Sequence, residues 1–496
     1  MAHTTPAFDE TVEKLLDEWN VPGLGVSVVQ GDQIHVKSYG VAHLNGEACT
    51  EDTLFDCAST SKSFTAACIA LLVQDETYPD VQWRTPVSKI LPDDFVLQDP
   101  YLTANVTIED ILSHRTGDPS HEDAIYGQKA AQPDDAKSVT RLLRNLPFNK
   151  PLRTDYQYSN VMYTVATHLI ETVTGEKYSD FVRKRLWKPL GMNNTFHDLP
   201  GIEAGHAGSR LASGYKWDKE KKQHIAIPSY AQPEAQGAGC QYSSVGDYAK
   251  WVRALLQHSA PLSEDSHKEM IKGRIPVPYD GNDALPLYGH TLYALGLNVE
   301  SYRGHTVIGH DGTFYGFRAL MRYLPGKDWG VVMFGNSYDA FYVEQILFHQ
   351  LMDKLLAVPQ EGHTDWPSYW RKCYEDDEEE QDLDLELLPP ETPEPLPVSL
   401  EKLAGEYFHP GYRYLKLELK EGCLEADCTD RCMPFTLKFS HLSASRFVAE
   451  HQDVLFKNKQ KLKAEFNMSN DGNVNSLGIA LCAEMEGELI WFQKRT

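Results

Sequence analysis

The segment Ser59-Thr60-Ser61-Lys62 places a serine and a lysine three residues apart, directly ahead of the apolar run Phe64 to Val73. This run predicts a buried helix, and residues three apart lie on the same face of a helix. A serine hydroxyl is a weak nucleophile at neutral pH unless a neighbouring base takes its proton. The pattern therefore predicts that Ser59 is a nucleophile and that Lys62 is its base. Other copies of the pattern, such as Ser213 with Lys216, do not head an apolar helix.

Two further motifs follow in the chain, Tyr158-Ser159-Asn160 and then His310-Asp311-Gly312. In type and order the three motifs resemble those of the penicillin-recognising serine hydrolases, which are Ser-x-x-Lys, Tyr-x-Asn or Ser-x-Asn, and Lys-Thr-Gly or His-x-Gly. The tyrosine version is typical of the branch that contains class C β-lactamases, DD-peptidases and related esterases. A Gly-x-Ser-x-Gly nucleophile elbow is absent from the sequence.

The resemblance extends over roughly residues 8 to 355. Longer stretches that follow family patterns are Thr107 to Gly117, Tyr156 to Gly175, Pro189 to Met192 and Gly237 to Ser244. It implies an α/β (α+β) fold of the β-lactamase and penicillin-binding-protein type, in which an antiparallel sheet carries an all-helical subdomain. Active sites of this family lie between the two parts.

The resemblance also implies roles for individual residues. Tyr158 would share proton transfer with Lys62, and Asn160 would contact both the Lys62 ammonium and the acyl group of the substrate. The backbone N–H groups of Ser59 and Thr313 would form the oxyanion hole. Gly312 would let the substrate lie close to its strand.

His310 stands where most β-lactamases carry a lysine, and a histidine is largely neutral at pH 7. We therefore expect His310 to contact the substrate by hydrogen bonding rather than to attract a carboxylate. Aromatic residues in Tyr279 to Tyr293 and in Thr313-Phe314-Tyr315 are candidates for lining an apolar acyl pocket.

The composition changes after Trp370. Glu375 to Glu386 is mostly acidic and Leu388 to Val398 is rich in proline, which predicts a linker. The remainder contains short strand-like runs and resembles the small lipocalin-like β-barrel appended to many β-lactamase-related proteins. We therefore predict a hydrolase domain over 1–370, a linker over 371–398 and an all-β barrel over 399–496. The barrel could hold a ligand, shape the cleft of the hydrolase, or only stabilise the chain.

The net charge of -24 argues against nucleic-acid and anionic-membrane partners. The N-terminal residues lack the features of a secretory signal, and nine cysteines occur without a disulfide framework, so a cytoplasmic protein is expected. Cys423, Cys428 and Cys432 raise the alternative of a zinc site, but their spacing is atypical. We predict no metal and no cofactor, and an oligomer is possible but not indicated.

These observations favour a serine hydrolase that forms an acyl-Ser59 intermediate with a small ester or amide. Three alternatives remain open at this point. The acyl group could pass to a second substrate, as in an acyltransferase of secondary metabolism. The protein could be a true β-lactamase or a D-amino-acid peptidase, or it could be a binding scaffold without activity.

Overall fold

Two segments that are far apart in the sequence build the central sheet. This is seen in the computed structural model, which describes residues 2–197, 199, 202, 207–278, 287–379, 387–469 and 471–495. All neighbouring strands of the sheet run antiparallel, in the order β3-β2-β1-β14-β13-β12-β11-β10-β9. These strands are β1 (Gly23–Gln30), β2 (Gln33–His43), β3 (Glu47–Ala48), β9 (Ile275–Pro276), β10 (Leu292–Tyr293), β11 (Asn298–Tyr302), β12 (His305–Phe314), β13 (Phe317–Leu324) and β14 (Trp329–Gly335).

Helices and short strands fill the interval between the two segments, and further helices flank the sheet. Among the described residues, no helix is long and apolar enough to cross a bilayer. The short strands are β4 (Phe55–Asp56), β5 (Thr195–Phe196), β6 (Gly214–Asp218), β7 (Gln223–Ile227) and β8 (Tyr242–Ser243). The helices are α1 (Pro6–Glu18), α2 (Lys62–Val73), α3 (Val87–Ile90), α4 (Pro100–Asn105), α5 (Ile108–Leu112), α6 (Ala136–Leu142), α7 (Asn160–Thr174), α8 (Tyr178–Val182), α9 (Val245–Leu256), α10 (Glu264–Met270), α11 (Ala340–Leu355), α12 (Trp366–Glu379) and α13 (Leu400–Leu403).

Apolar side chains cover both faces of the central sheet. Every residue of β14 is buried, and its side chains alternate between two clusters. Val331 and Met333 pack with residues of α1 and α11, whereas Val332 and Phe334 pack with residues of α2 and α9 on the other face. The sheet therefore has helices on both sides, and the predicted combination of an antiparallel sheet with a helical part is confirmed.

Helix α12 extends beyond residue 370 into the segment predicted as a linker. Trp366 and Trp370 are buried, and the ring of Tyr374 lies 5.4 Å from that of Trp19. The acidic residues that suggested an extended linker thus begin on a helix whose aromatic side chains pack on the first domain. Aromatic packing outweighs the repulsion between like charges here, and composition alone did not indicate it.

The C-terminal part is a closed eight-stranded barrel, as predicted. Its strands are β15 (Gly405–His409), β16 (Arg413–Lys420), β17 (Cys423–Cys428), β18 (Phe435–Ser443), β19 (Arg446–Asp453), β20 (Lys459–Met468), β21 (Val474–Ile479) and β22 (Ile490–Lys494). Large buried side chains such as Phe439, Phe447 and Phe466 contact one another across its interior. Closure leaves the barrel without edge strands.

The barrel docks on the loops that precede α6. The Arg413 guanidinium binds Asp134 with a nitrogen to oxygen distance of 2.6 Å, and it stacks on the ring of Tyr126 at 3.7 Å. A Cβ at Gly127 would lie 2.7 Å from the carbonyl oxygen of Arg431, so only glycine allows this close approach. The contact joins the barrel to the part of the first domain that carries the loop 118–135.

We expect Arg413→Ala to lower the free energy of unfolding by about 3 kcal/mol, because it leaves the carboxylate of Asp134 buried without its cation. Urea-induced unfolding of the full chain measures the change. Lys416→Ala is the matched control, since Lys416 lies on the same strand with an exposed side chain that pairs with Glu418. An unchanged midpoint for Arg413→Ala would show that this pair does not hold the barrel in place.

Candidate active site

Ser59 lies in a tight turn, the 3-10 helix Ala58–Ser61, directly before α2. Ala58 has φ of 45°, in the left-handed region that residues with a Cβ rarely adopt. Its N–H donates to Oδ1 of the buried Asp56 at 2.7 Å, and the Thr60 hydroxyl donates to the Cys57 carbonyl oxygen at 2.7 Å. These bonds hold the strained turn in one conformation and so fix the position of Ser59.

The Lys62 side chain is completely buried at the start of α2. Its Nζ donates to Ser59 Oγ at 3.1 Å, to Asn160 Oδ1 at 2.6 Å and to the Ala238 carbonyl oxygen at 2.9 Å. Burial lowers the pKa of Lys62 to about 7, and the negative charge of Glu122 partly opposes this shift. A lysine with this pKa is partly neutral at pH 7 and can accept a proton.

Tyr158 contacts the same hydroxyl from the other side. Its phenol donates to Ser59 Oγ at 2.7 Å, and its ring packs on that of His114 with 4.2 Å between the centroids. Burial raises the pKa of the Tyr158 phenol well above its usual value. The next residue, Ser159, caps α7 through the Met162 N–H and donates to Asp118, so the residues before α7 are held firmly.

Asn160 connects Lys62 to a carboxylate that the sequence did not single out. Its Oδ1 accepts from Lys62, and its Nδ2 donates to Glu122 Oε1 at 2.5 Å. The Ser120 hydroxyl donates to the same oxygen at 3.0 Å. The amide of Asn160 is therefore fixed with its oxygen towards the lysine.

His310 is buried in β12, and each of its ring nitrogens contacts another protein atom. Nδ1 lies 2.5 Å from the Asp311 carbonyl oxygen, and Nε2 lies 2.9 Å from the Tyr293 hydroxyl. Burial lowers the pKa of His310 to about 4, with a further contribution from the charge of Lys62. This differs from the expected hydrogen bond to a substrate, since the ring is neutral and its two nitrogens already have partners. The Asp311 side chain binds Arg322 at 2.7 Å.

Gly312 and Thr313 follow His310 and Asp311 in β12, where the strand passes Ser59. A Cβ at Gly312 would lie 2.7 Å from the Cys57 carbonyl oxygen and 3.1 Å from Ala58 Cβ, so glycine is needed here to let the turn of Ser59 pack on the strand. We had expected the glycine to make room for the substrate. Thr313 is the next residue and lies with Ser59 in the wall of one cavity.

That cavity has a volume of about 160 Å³. The barrel contributes to its wall through Cys432 and Met433, which lie between β17 and β18. The Cys432 N–H donates to the Ile125 carbonyl oxygen at 2.9 Å, and Gln232 Nε2 donates to the Cys432 carbonyl oxygen at 2.8 Å. Thus the barrel shapes the cleft, which is one of the three roles that the sequence left open.

Glu122 and Met433 are among the residues of the cavity wall that sequence reasoning missed. Neither belongs to a recognisable motif, and both are brought to Ser59 only by tertiary contacts. Phe314, an expected pocket residue, does line the cavity. Of the other aromatic segment, residues 279–286 lie outside the described part of the chain.

The cysteine cluster does not form a metal centre among the described residues, where no group of three or more His, Cys, Asp or Glu side chains is arranged to hold an ion. Cys428 and Cys432 are buried, and Cys423 Sγ contacts the Phe439 carbonyl oxygen at 3.2 Å.

Comparisons with known proteins found matches to both parts of the chain. A family model described as beta-lactamase matches residues 8–346, and one described as a domain of unknown function (DUF3471) matches residues 389–494. An unguisins hydrolase of Aspergillus campestris is 36% identical over 98% of this chain and 91% of its own length.

Two solved structures show similar folds. The octameric penicillin-binding protein homologue from Pyrococcus abyssi has a TM-score of 0.63 at 20% identity, covering 95% of this chain and 97% of the other. The D-amino acid amidase from Ochrobactrum anthropi SV3, complexed with L-phenylalanine amide, has a TM-score of 0.55 at 25% identity. The match covers 67% of this chain and 91% of the amidase chain. The first likeness extends over nearly the whole of this chain, so it covers both the sheet domain and the barrel.

We expect kcat/KM to fall about tenfold per pH unit below pH 7 and to level off above it, because only neutral Lys62 can accept the proton of Ser59. The pH profile of p-nitrophenyl ester hydrolysis measures this. Lys62→Arg keeps the positive charge but removes the titration near 7, so it should be slow and lack this inflection. A wild-type profile that stays flat from pH 5 to 8 would exclude Lys62 as the base.

Proposed function

Because the chain belongs to the beta-lactamase family of serine hydrolases, we propose that it is an amidase that cleaves a small amide through an acyl-Ser59 intermediate. The observation that carries the proposal is the position of Ser59 Oγ, 3.1 Å from Lys62 Nζ and 2.7 Å from the Tyr158 hydroxyl. A nucleophile with a base on one side and a proton donor on the other suits acyl transfer.

Acylation then proceeds in balanced steps. Neutral Lys62 takes the Ser59 proton as Oγ attacks the carbonyl carbon, and the backbone N–H groups of Ser59 and Thr313 donate to the oxygen that becomes negative. When the carbon–nitrogen bond breaks, Tyr158 gives its proton to the leaving nitrogen, and the Lys62 ammonium restores the proton of Tyr158. In deacylation a water molecule loses its proton to the same pair, and Ser59 recovers its own.

The antiparallel pairing supports the place of Thr313 in this scheme. Phe314 and Phe317 face each other across a two-residue turn, so the next pair, Thr313 and Arg318, is a pair that does not exchange hydrogen bonds. The Thr313 N–H therefore points away from β13. Pairing of β12 with β11 ends at Gly309, so β11 does not pair with this N–H and leaves it available to a substrate.

An amide is favoured over an ester by the protonation chemistry and by the relatives. An amine leaves only after its nitrogen has gained a proton, which the buried neutral phenol of Tyr158 can supply, whereas an alkoxide depends on this less. Of the proteins compared above, the D-amino acid amidase supports an amide by its name, and the unguisins hydrolase supports hydrolysis.

The cavity limits the size of the acyl group. A cavity of roughly 150 Å³ holds a benzene-sized molecule, and the wall here contains the apolar side chains of Ile125, Val161, Phe314 and Met433. A substrate with one aromatic or branched side chain on its acyl part fits this space. True β-lactamase activity is less well supported, because His310 offers no charge to a carboxylate.

We expect Ser59→Ala to abolish both turnover and the acyl adduct seen by intact mass. Ser213→Ala is its control, since Ser213 also precedes a lysine by three residues but bonds to His43. D- and L-phenylalanine amide are the first substrates, and product analysis distinguishes free acid from acyl transfer to an added amine. An adduct that persists in Ser59→Ala would place the nucleophile elsewhere.

We expect Tyr158→Phe to slow amide cleavage by about 10²–10⁴-fold, and to slow cleavage of the matching ester less, because only the amine requires the proton. Tyr156→Phe is the control, since the ring of Tyr156 packs on Tyr293. The two variants are compared in single-turnover acylation. Equal losses for amide and ester would assign Tyr158 to activation of Ser59 rather than to the leaving group.

A further inference from the structure

Among its described residues, the wall of the cavity carries one ionisable side chain apart from two cysteines, and this side chain is a glutamate. Glu122 lies beside Ser59, Asn160 and Thr313 in that wall. Cys240 and Cys432 also line it, but burial raises the pKa of both thiols well above the usual value, so they are neutral. A carboxylate at the reaction centre determines which charge a substrate can bring there.

The backbone before Glu122 is held in an unfavourable conformation. Ser120 and His121 have φ of 74° and 48°, two consecutive residues in the left-handed region. His121 is locked by the Tyr412 hydroxyl on one ring nitrogen and by the Pro147 carbonyl oxygen on the other, both at 2.8 Å. The barrel, which supplies Tyr412, thus helps to direct Glu122 towards the cavity.

The two oxygens of the Glu122 carboxylate differ in their hydrogen bonds within the described part of the chain. Asn160 and Ser120 both donate to Oε1. Among the described residues no side chain donates a hydrogen bond to Oε2. A carboxylate can accept several hydrogen bonds through its two oxygens, so Oε2 retains the capacity to bind a donor from a ligand.

The cations around the site are already engaged by the protein. Lys62 Nζ has three protein acceptors. Arg318 donates to Thr313 Oγ1 and to the Tyr338 carbonyl oxygen, and its guanidinium stacks on the Tyr338 ring at 4.0 Å. A substrate carboxylate would therefore meet Glu122 without a free countercharge, whereas a substrate cation would be attracted.

We propose that Glu122 binds the ammonium group of a substrate whose acyl part carries a free amine close to the scissile carbonyl. The proposal rests on the proposed amidase function, and it specifies the substrates as amino-acid amides or peptides cleaved next to their N-terminus. The path from Ser59 Oγ through Lys62 and Asn160 to Glu122 consists of contacts of 3.1, 2.6 and 2.5 Å. Because Ser59 and Glu122 also line the same cavity, an amine bound to Glu122 would lie near the carbonyl carbon that Ser59 attacks.

Binding of an ammonium group here would also favour the reactive form of Lys62. The negative charge of Glu122 opposes the lowering of the Lys62 pKa. A bound cation cancels that charge, so Lys62 loses its proton more readily when the correct substrate is present. Substrates that carry the amine should therefore have a higher kcat as well as a lower KM.

Binding is tested in the full-length Ser59→Ala protein, where turnover does not interfere. The ligands are phenylalanine amide and 3-phenylpropanamide, which differ only in the amine, and calorimetry at pH 6.5 keeps that amine protonated. We expect the amine to improve affinity by at least about tenfold. Glu122→Gln in the same protein should bring the affinity ratio close to one, because glutamine retains an oxygen for Asn160 but lacks the charge.

Glu176→Gln is the matched control, since Glu176 pairs with Lys184 away from the cavity and should leave the ratio unchanged. Glu122→Asp, which retains the charge, should keep part of the preference and shows whether charge or packing is responsible. Two results would overturn the ammonium site. One is equal affinity of the Ser59→Ala protein for the two ligands, and the other is a preference for the amine that survives Glu122→Gln.

A separate measurement distinguishes failure of the site from failure of the amidase function. Wild-type protein is mixed with phenylalanine p-nitroanilide, and acyl-Ser59 is sought by intact mass. An adduct without amine preference in the binding assay refutes the ammonium site alone. Amine preference without an adduct supports the site and refutes the amidase.

Discussion

The catalytic arrangement depends on the burial of a lysine. Lys62 has no access to solvent, and its Nζ is surrounded by a hydroxyl, an amide oxygen and a backbone carbonyl that come from three separate parts of the chain. Removal of water destabilises the ammonium, while the three acceptors compensate for part of that loss. As a result, Lys62 can lose its proton near neutral pH, and its hydrogen bonds still hold the side chains of Ser59 and Asn160 in place.

The second domain takes part in the site rather than being only appended to it. Cys432 and Met433 close the cavity, and Tyr412 fixes His121 beside Glu122. These contacts come from one side of the barrel, whose interior is filled by its own aromatic core. The stability of the domain contact and the shape of the cavity are therefore linked, and a substitution such as Arg413→Ala can affect both.

Particular residues show how far sequence reasoning reached. Ser59, Lys62, Tyr158 and Asn160 were predicted from short motifs, and the structure brings their side chains together within hydrogen-bonding distance. The fold was predictable because the motifs and several longer segments resemble those of a known family. His310 and Gly312 were named for contact with substrate, but the His310 ring bonds to Tyr293 and Gly312 packs against the backbone of Cys57, which no local pattern reveals.

The sequence by itself predicted Ser59 and Lys62 as a candidate nucleophile and base, because residues three apart lie on one face of a helix. It predicted the sheet, the helical part and the barrel through the resemblance of its motifs and segments to a known family. Only the tertiary structure decided the charge and the walls of the cavity. Glu122 belongs to the hydrolase domain and Met433 to the barrel, and they meet in one wall through the docking of the barrel. A pKa near 7 for Lys62 likewise arises from burial, which is a property of the packed molecule and not of a motif.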